Sequence, residues 1–133
     1  MTAMRAAAAA VAVLAVFAAG PSPAQEGPQP VAVVEMTFGL KFQPAEVRIR
    51  AGQTVEWRNK GFFVHTVTFD PSKAADPSRV SLPAGVEPFD SGNVEGGKSW
   101  KHTFTTPGTY RYVCVPHEGH GMSGTVVVLP AAS

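Results

Sequence analysis

The chain holds a single cysteine in 133 residues. That excludes every intrachain disulfide framework, the CxxC redox pair, the Cys-rich zinc modules and the CxxCH haem-attachment pattern. Charge is also sparse: charged side chains make up 16% of the chain, 11 Lys plus Arg against 10 Asp plus Glu, with no run of one sign. Such a balance gives no electrostatic footprint for nucleic acid. No segment shows a sustained helical period of apolar residues either. A chain this short has room for one domain and one main site.

One long uncharged stretch is present, residues 6–20, behind a start that carries the positive charge of Arg5. Its 15 residues are short for a membrane span and suit the apolar region of a secretory signal peptide. Ser22-Pro23-Ala24 offers small residues at the positions a cleavage site needs, so residues 1–24 are expected to be removed as a signal peptide, leaving residues 25–133 as the domain. No cysteine follows the run to take a lipid, and no twin arginine precedes it. The expected location is the periplasm or another extracytoplasmic space, a thylakoid lumen in a photosynthetic host, with no stable membrane insertion. Loss of Arg5 leaves ten basic and ten acidic side chains, and a chain so close to neutral steers partners weakly.

The rest reads as short strands. Residues 31–37 form a β-branched run, and residues 46–50 alternate Val47 and Ile49 with charge. Alternation of this kind marks a half-buried strand. Residues 54–59 turn Val55 and Trp57 inward; 65–69, 99–104, 108–113 and 124–129 complete the set, each of ordinary strand length. Turn signals separate them at Ala51-Gly52, Lys60-Gly61, Gly96-Gly97 and Pro107-Gly108. With 13 Gly and 12 Pro in the chain, the fold class is all-β: a Greek-key antiparallel sandwich of about eight strands. Residues 70–88 are the least regular stretch, with room for a short helical turn or an irregular edge strand.

Chemistry concentrates between the last two strands. Residues 114–122, Cys-Val-Pro-His-Glu-Gly-His-Gly-Met, place a thiol, two imidazoles and a thioether on one loop. His65, at a strand start some fifty residues earlier, is a fourth candidate that a sandwich can bring alongside. Two imidazoles, one thiolate and a weak thioether are the donors of a blue-copper electron-transfer site. A Cys-His nucleophile is the enzymatic alternative for Cys114 and His117, but no orienting Asn or Asp is evident and Met122 has no part in it. A structural zinc site calls for more thiolates. A copper carrier or store without an electron-transfer role uses the same donors, and a metal-free binding sandwich leaves Cys114 a buried thiol. His120 reads as a solvent-facing loop residue, and His102, Trp57, Trp100 and Phe104 as packing.

The pattern Cys114-x-x-His117-x-x-x-x-Met122, preceded by Pro107-Gly108-Thr109-Tyr110 and followed by Gly124-Thr125-Val126, resembles the plastocyanin branch of the cupredoxins. The stretches at 42–47, 51–55 and 61–65 match it too, so the resemblance runs from about residue 33 to 128. It implies one type 1 copper ion held by His65, Cys114, His117 and Met122, both histidines binding through Nδ1. It further implies a monomeric carrier of single electrons, not an enzyme, whose larger redox partners dock at an apolar end around Leu40 and His117.

Three positions depart from that pattern. Val113 stands directly before the cysteine where the family usually has Tyr, with Tyr112 one place earlier. Thr66 replaces the Asn that pins the cysteine loop; its hydroxyl is expected to do part of that work while its N–H points at the sulfur. Phe63-Val64 replaces a Pro before the first histidine, with one extra residue in the turn.

Overall fold

A computed structural model describes residues 2–4, 6–16 and 27–133. Residues 2–4 and 6–16 have no regular secondary structure, and the expected cleavage point lies outside the described residues. Among the described residues no helix is long and apolar enough to cross a membrane.

Among the described residues nine strands form two sheets. They are β1 (Pro30–Met36), β2 (Phe42–Gln43), β3 (Glu46–Arg50), β4 (Gln53–Asn59), β5 (Thr68–Phe69), β6 (Phe89–Asp90), β7 (Ser99–Phe104), β8 (Gly108–Val113) and β9 (Ser123–Leu129). One sheet runs β2-β1-β4-β7 and the other β3-β9-β8-β5-β6. The all-β sandwich is as expected, but each sheet is mixed: β1 lies parallel to β4, and β3 parallel to β9. Alternation reports which face of a strand is buried and carries no information about the direction of its neighbour.

In β3 and β9 the alternation is clean. β3 buries Val47 and Ile49 between exposed Glu46, Arg48 and Arg50, and β9 buries Gly124, Val126 and Val128. In β4 the outward-facing residues are buried too, because side chains on the same face cover them: Thr103 bonds Thr54, and Thr54, Val55, Glu56 and Trp57 are all buried. Buried Glu56 is offset by Arg58 and Lys101. The expected strand at 65–69 shrinks to Thr68–Phe69, with His65 held instead by a single bridge to Val94. The irregular stretch after it holds two one-turn 3₁₀ segments, Pro71–Lys73 and Pro77–Arg79.

Between the sheets lies an aromatic core centred on Trp57, which meets Phe69, Phe104 and Tyr112 at ring-centroid distances of 6.1, 6.2 and 5.6 Å. These edge-on and tilted contacts add to the burial of large apolar area. Trp57 Nε1 donates to Tyr112 Oη at 3.0 Å, which satisfies both polar tips inside the core. Tyr112 sits across from Gly124 on β9, and a Cβ at that glycine would run into its ring. A glycine in a Val-rich strand is thus required by the tyrosine opposite. Trp100 is only half-buried, and His102 stacks on Phe89 at 4.0 Å. Both act in packing, as expected.

Tyr112→Phe is expected to destabilise the fold by about 1–3 kcal/mol, since it strands the buried Trp57 N–H without an acceptor. Urea unfolding at neutral pH measures it, and Trp57→Phe in the same background should recover part of the loss.

Candidate metal centre

β8 ends at Val113 and delivers Cys114 into the core at 0% exposure. The chain then turns through a short 3₁₀ segment, Val115–His120, and re-enters the sandwich as β9. The loop closes on itself: Cys114 N–H donates to the Met122 carbonyl at 3.0 Å, His117 N–H to the Cys114 carbonyl at 3.1 Å, and Met122 N–H to the His117 carbonyl at 3.3 Å. Gly121 takes φ +75° to complete the turn, a conformation that favours glycine.

His65 arrives from the same sheet. Thr68 pairs with Val113 across β5 and β8, which puts Thr66 and His65 beside Cys114 although they are about fifty residues apart in the chain. Thr66 seals the junction. Its N–H donates to Cys114 Sγ at 3.4 Å, and its hydroxyl accepts from Val115 N–H at 2.8 Å. Both jobs expected of this residue in place of Asn are therefore performed. On its far side His65 exchanges backbone hydrogen bonds with Val94 at 3.1 and 2.8 Å.

Three donor atoms converge. His65 Nδ1 and His117 Nδ1 are 3.1 Å apart, and Cys114 Sγ lies 3.6 Å from the first and 3.4 Å from the second. A point in their plane stands about 2 Å from all three, the length of a metal–imidazole bond. Three such atoms facing one point are a poor hydrogen-bonded cluster and a good metal cradle. His65 meets the other two through Nδ1 only, since its buried Nε2 has no protein partner. Met122 is buried in the same apolar cluster as Cys114. His120 is exposed and stays outside the triangle, its ring 6.2 Å from that of His117.

Electrostatics suit a metal as well. Burial, and then the neighbouring imidazole, lowers the His65 pKa, while burial and His120 lower that of His117. Both rings thus offer free lone pairs at neutral pH. Burial pushes the Cys114 thiol up, partly countered by the backbone N–H groups of Thr66 and His117. A cation at the centre displaces that proton, so binding tightens as pH rises.

The sequence over residues 30–129 matches the model for the copper-binding proteins of the plastocyanin/azurin family. The chain belongs to this family. Plastocyanin of Scenedesmus fuscus is 42% identical over 89 residues, which cover 67% of this chain and 87% of that one. The chloroplastic plastocyanin of Tetradesmus obliquus is 39% identical over 93 residues, and there the match spans 67% of this chain and 59% of the relative. Among solved structures, amicyanin from Paracoccus versutus superposes with a TM-score of 0.59 at 30% identity, covering 78% of this chain and 86% of that one. The Cu(I) form of an amicyanin M51A mutant gives a TM-score of 0.61 at 29% identity over 78% and 87% of the two chains. Copper is accordingly the metal of this cupredoxin.

Sequence reasoning missed Glu118, the one buried side chain between Cys114 and Met122. A glutamate flanked by loop residues reads as solvated, and only the packing of residues 75 and 76 against it shows otherwise.

Thr66→Val is expected to cost about 1–3 kcal/mol in the metal-free protein, because Val115 N–H loses its acceptor. The N–H to sulfur contact is backbone and remains. Urea unfolding should therefore show the loss while Cu(II) still gives a coloured product.

Proposed function

We propose that this cupredoxin carries single electrons between larger redox proteins on one type 1 copper ion, cycling between Cu(II) and Cu(I). His65, Cys114 and His117 supply the trigonal plane and Met122 a weak axial donor. The observation that carries this reading is the preformed triangle of Nδ1, Nδ1 and Sγ. Thiolate favours Cu(I) and imidazole accepts either state, so a site already shaped by the fold has little to rearrange when the electron moves. Nothing in this role needs a substrate cleft, and the family's members are electron carriers rather than enzymes.

Transfer needs a route to the surface. His117 is only half-buried, with the Phe63 ring at 6.0 Å, and the loops beside it expose Phe38, Phe62, Phe63, Val64 and Val115. Phe62 is 88% exposed, braced edge-on by Phe38 at 5.4 Å. The turn that bears Phe62 and Phe63 is rigid: Asn59 Nδ2 donates to the carbonyls of Phe63 and Val94 at 2.8 and 2.9 Å, and its Oδ1 accepts from Gly61 N–H. Gly96 allows the backbone at Gly61 to pack directly against it. A contiguous apolar end of this kind is what a transient partner covers. Phe63 carries this end up to the His117 ring, family likeness assigns Leu40 to it, and the extra residue in the 61–65 turn adds aromatic rings. The protein acts as a monomer, exported by residues 1–24 to the periplasm or an equivalent compartment.

Cu(II) added to the purified protein is expected to give intense visible absorption and a narrow copper hyperfine splitting in electron paramagnetic resonance. A colourless product with an ordinary tetragonal signal would sink the type 1 assignment, and irreversible voltammetry would favour a copper store. Cys114→Ser should abolish the colour and keep the β-sheet circular dichroism. Met122→Leu is expected to keep the blue site and raise its potential.

For docking, Phe62→Ser with Phe63→Ser is expected to slow stopped-flow electron transfer with a c-type cytochrome several-fold. The potential and the rate with ferricyanide should stay near wild type. Rates falling steeply with added salt would show that charge, not this apolar end, governs encounter.

A further inference from the structure

The loop carrying His117 lies mostly on the surface: Val115, Pro116, Gly119, His120 and Gly121 are exposed, and His117 is half-buried. Glu118 is the exception at 5% exposure. Burying a carboxylate in such a turn is costly unless its oxygens are bonded. Here they are: Oε2 accepts from Ala75 N–H and Oε1 from Asp76 N–H, both at 2.8 Å. The Glu118 carbonyl accepts from Arg79 Nη1 at 3.2 Å and from Gly121 N–H at 2.9 Å. Neither the donor triangle nor the apolar end uses this residue.

The segment that meets it is a short tandem repeat, Asp70-Pro71-Ser72-Lys73 followed by Asp76-Pro77-Ser78-Arg79. In each copy the Asp carboxylate caps a 3₁₀ turn by accepting from the N–H and hydroxyl of the Ser two residues on. Lys73 ties the first turn to Asp90 at 3.1 Å. Residues 75 and 76 fall between the two capped turns, so a stiff backbone presents two successive amides to one carboxylate. Hydrogen bonds to a charged acceptor are about twice as strong as neutral ones. They act at the residue next to His117.

We propose that Glu118 is a positioning residue for the metal site: its clamp on Ala75 and Asp76 holds His117 Nδ1 against His65 Nδ1 and Cys114 Sγ before any ion binds. This rests on the copper reading above. Without the carboxylate contacts the loop keeps its internal hydrogen bonds and those with Thr66 and Arg79. The side of it that follows His117 loses its tie to residues 75 and 76, however, and the His117 ring gains freedom to follow whichever geometry each oxidation state prefers. The clamp removes that freedom from outside the ligand set.

Glu118→Gln keeps the shape of the side chain but turns one acceptor into a donor that faces an N–H. In the metal-free protein, amide exchange at Ala75 and Asp76 is expected to accelerate roughly tenfold or more, and nuclear relaxation should show a more mobile His117 ring. In the copper-loaded protein the reduction potential and the copper hyperfine splitting are expected to shift, with Glu118→Asp recovering part of both. Glu46→Gln, on exposed β3, is the control and should leave them unchanged. Faster exchange at residues 75 and 76 with a wild-type His117 ring, potential and spectrum would overturn the proposal, leaving Glu118 a staple between two loops. If Glu118→Gln does not fold, Arg79→Gln loosens the same residue through its carbonyl; shifts in the same direction support the clamp, and none overturns it. A wild type without a type 1 signal would defeat the ligand assignment instead, and His117 ring mobility in the metal-free pair would then decide the clamp alone.

Discussion

Thr66 joins two parts of the chain with two hydrogen bonds, one from its N–H to Cys114 Sγ and one to its hydroxyl from Val115 N–H. The strand pairing of Thr68 with Val113 brings these groups within reach. Because the junction is made of backbone and one short side chain, it holds with or without an ion. The histidine on one side and the cysteine on the other are therefore fixed relative to each other by the fold. Copper then enters a site whose geometry the protein has already set, which is the condition for moving an electron with little rearrangement.

Burial serves the same end in three different ways. It keeps the thiol of Cys114 out of solvent and pushes its pKa up, so that a bound cation favours the thiolate form. It keeps the imidazoles neutral and available as donors. It also places the aromatic core under the site, since Tyr112 lies two residues before Cys114 on the same strand and is locked by Trp57. The side facing solvent is built the opposite way, with exposed phenylalanines on a turn made rigid by Asn59 and a close glycine contact. A hard interior and an apolar, pre-shaped exterior meet at the His117 ring.

Much of this was legible in the sequence, and unevenly so. The donors on the 114–122 loop stand within nine residues of one another, so their type and spacing can be read directly. His65 was placed with them by family likeness, and the structure shows the reason: one bridge to Val94 and the Thr66 junction, both long-range contacts. The strands β3, β4 and β9 were legible by alternation, but the pattern in β4 did not show that its outer Thr54 and Glu56 are covered as well, by Thr103 and Lys101 of the neighbouring strand. The two-residue strands β2 and β6 are too short to carry any period. Glu118 left no signal at all, since its burial depends on amides more than forty residues away.

Residue order alone gave the class of protein and grouped a thiol, two imidazoles and a thioether on one loop. These are properties of residue type and local spacing, which no folding is needed to read. The tertiary structure decided that three donor atoms meet about one metal–ligand bond length from a common point, that two strand pairs run parallel, and that a buried glutamate braces the ligand loop. Each of these depends on where distant segments come to rest against one another. That is settled by the packing of the whole core and by the need of every buried polar group to find a partner.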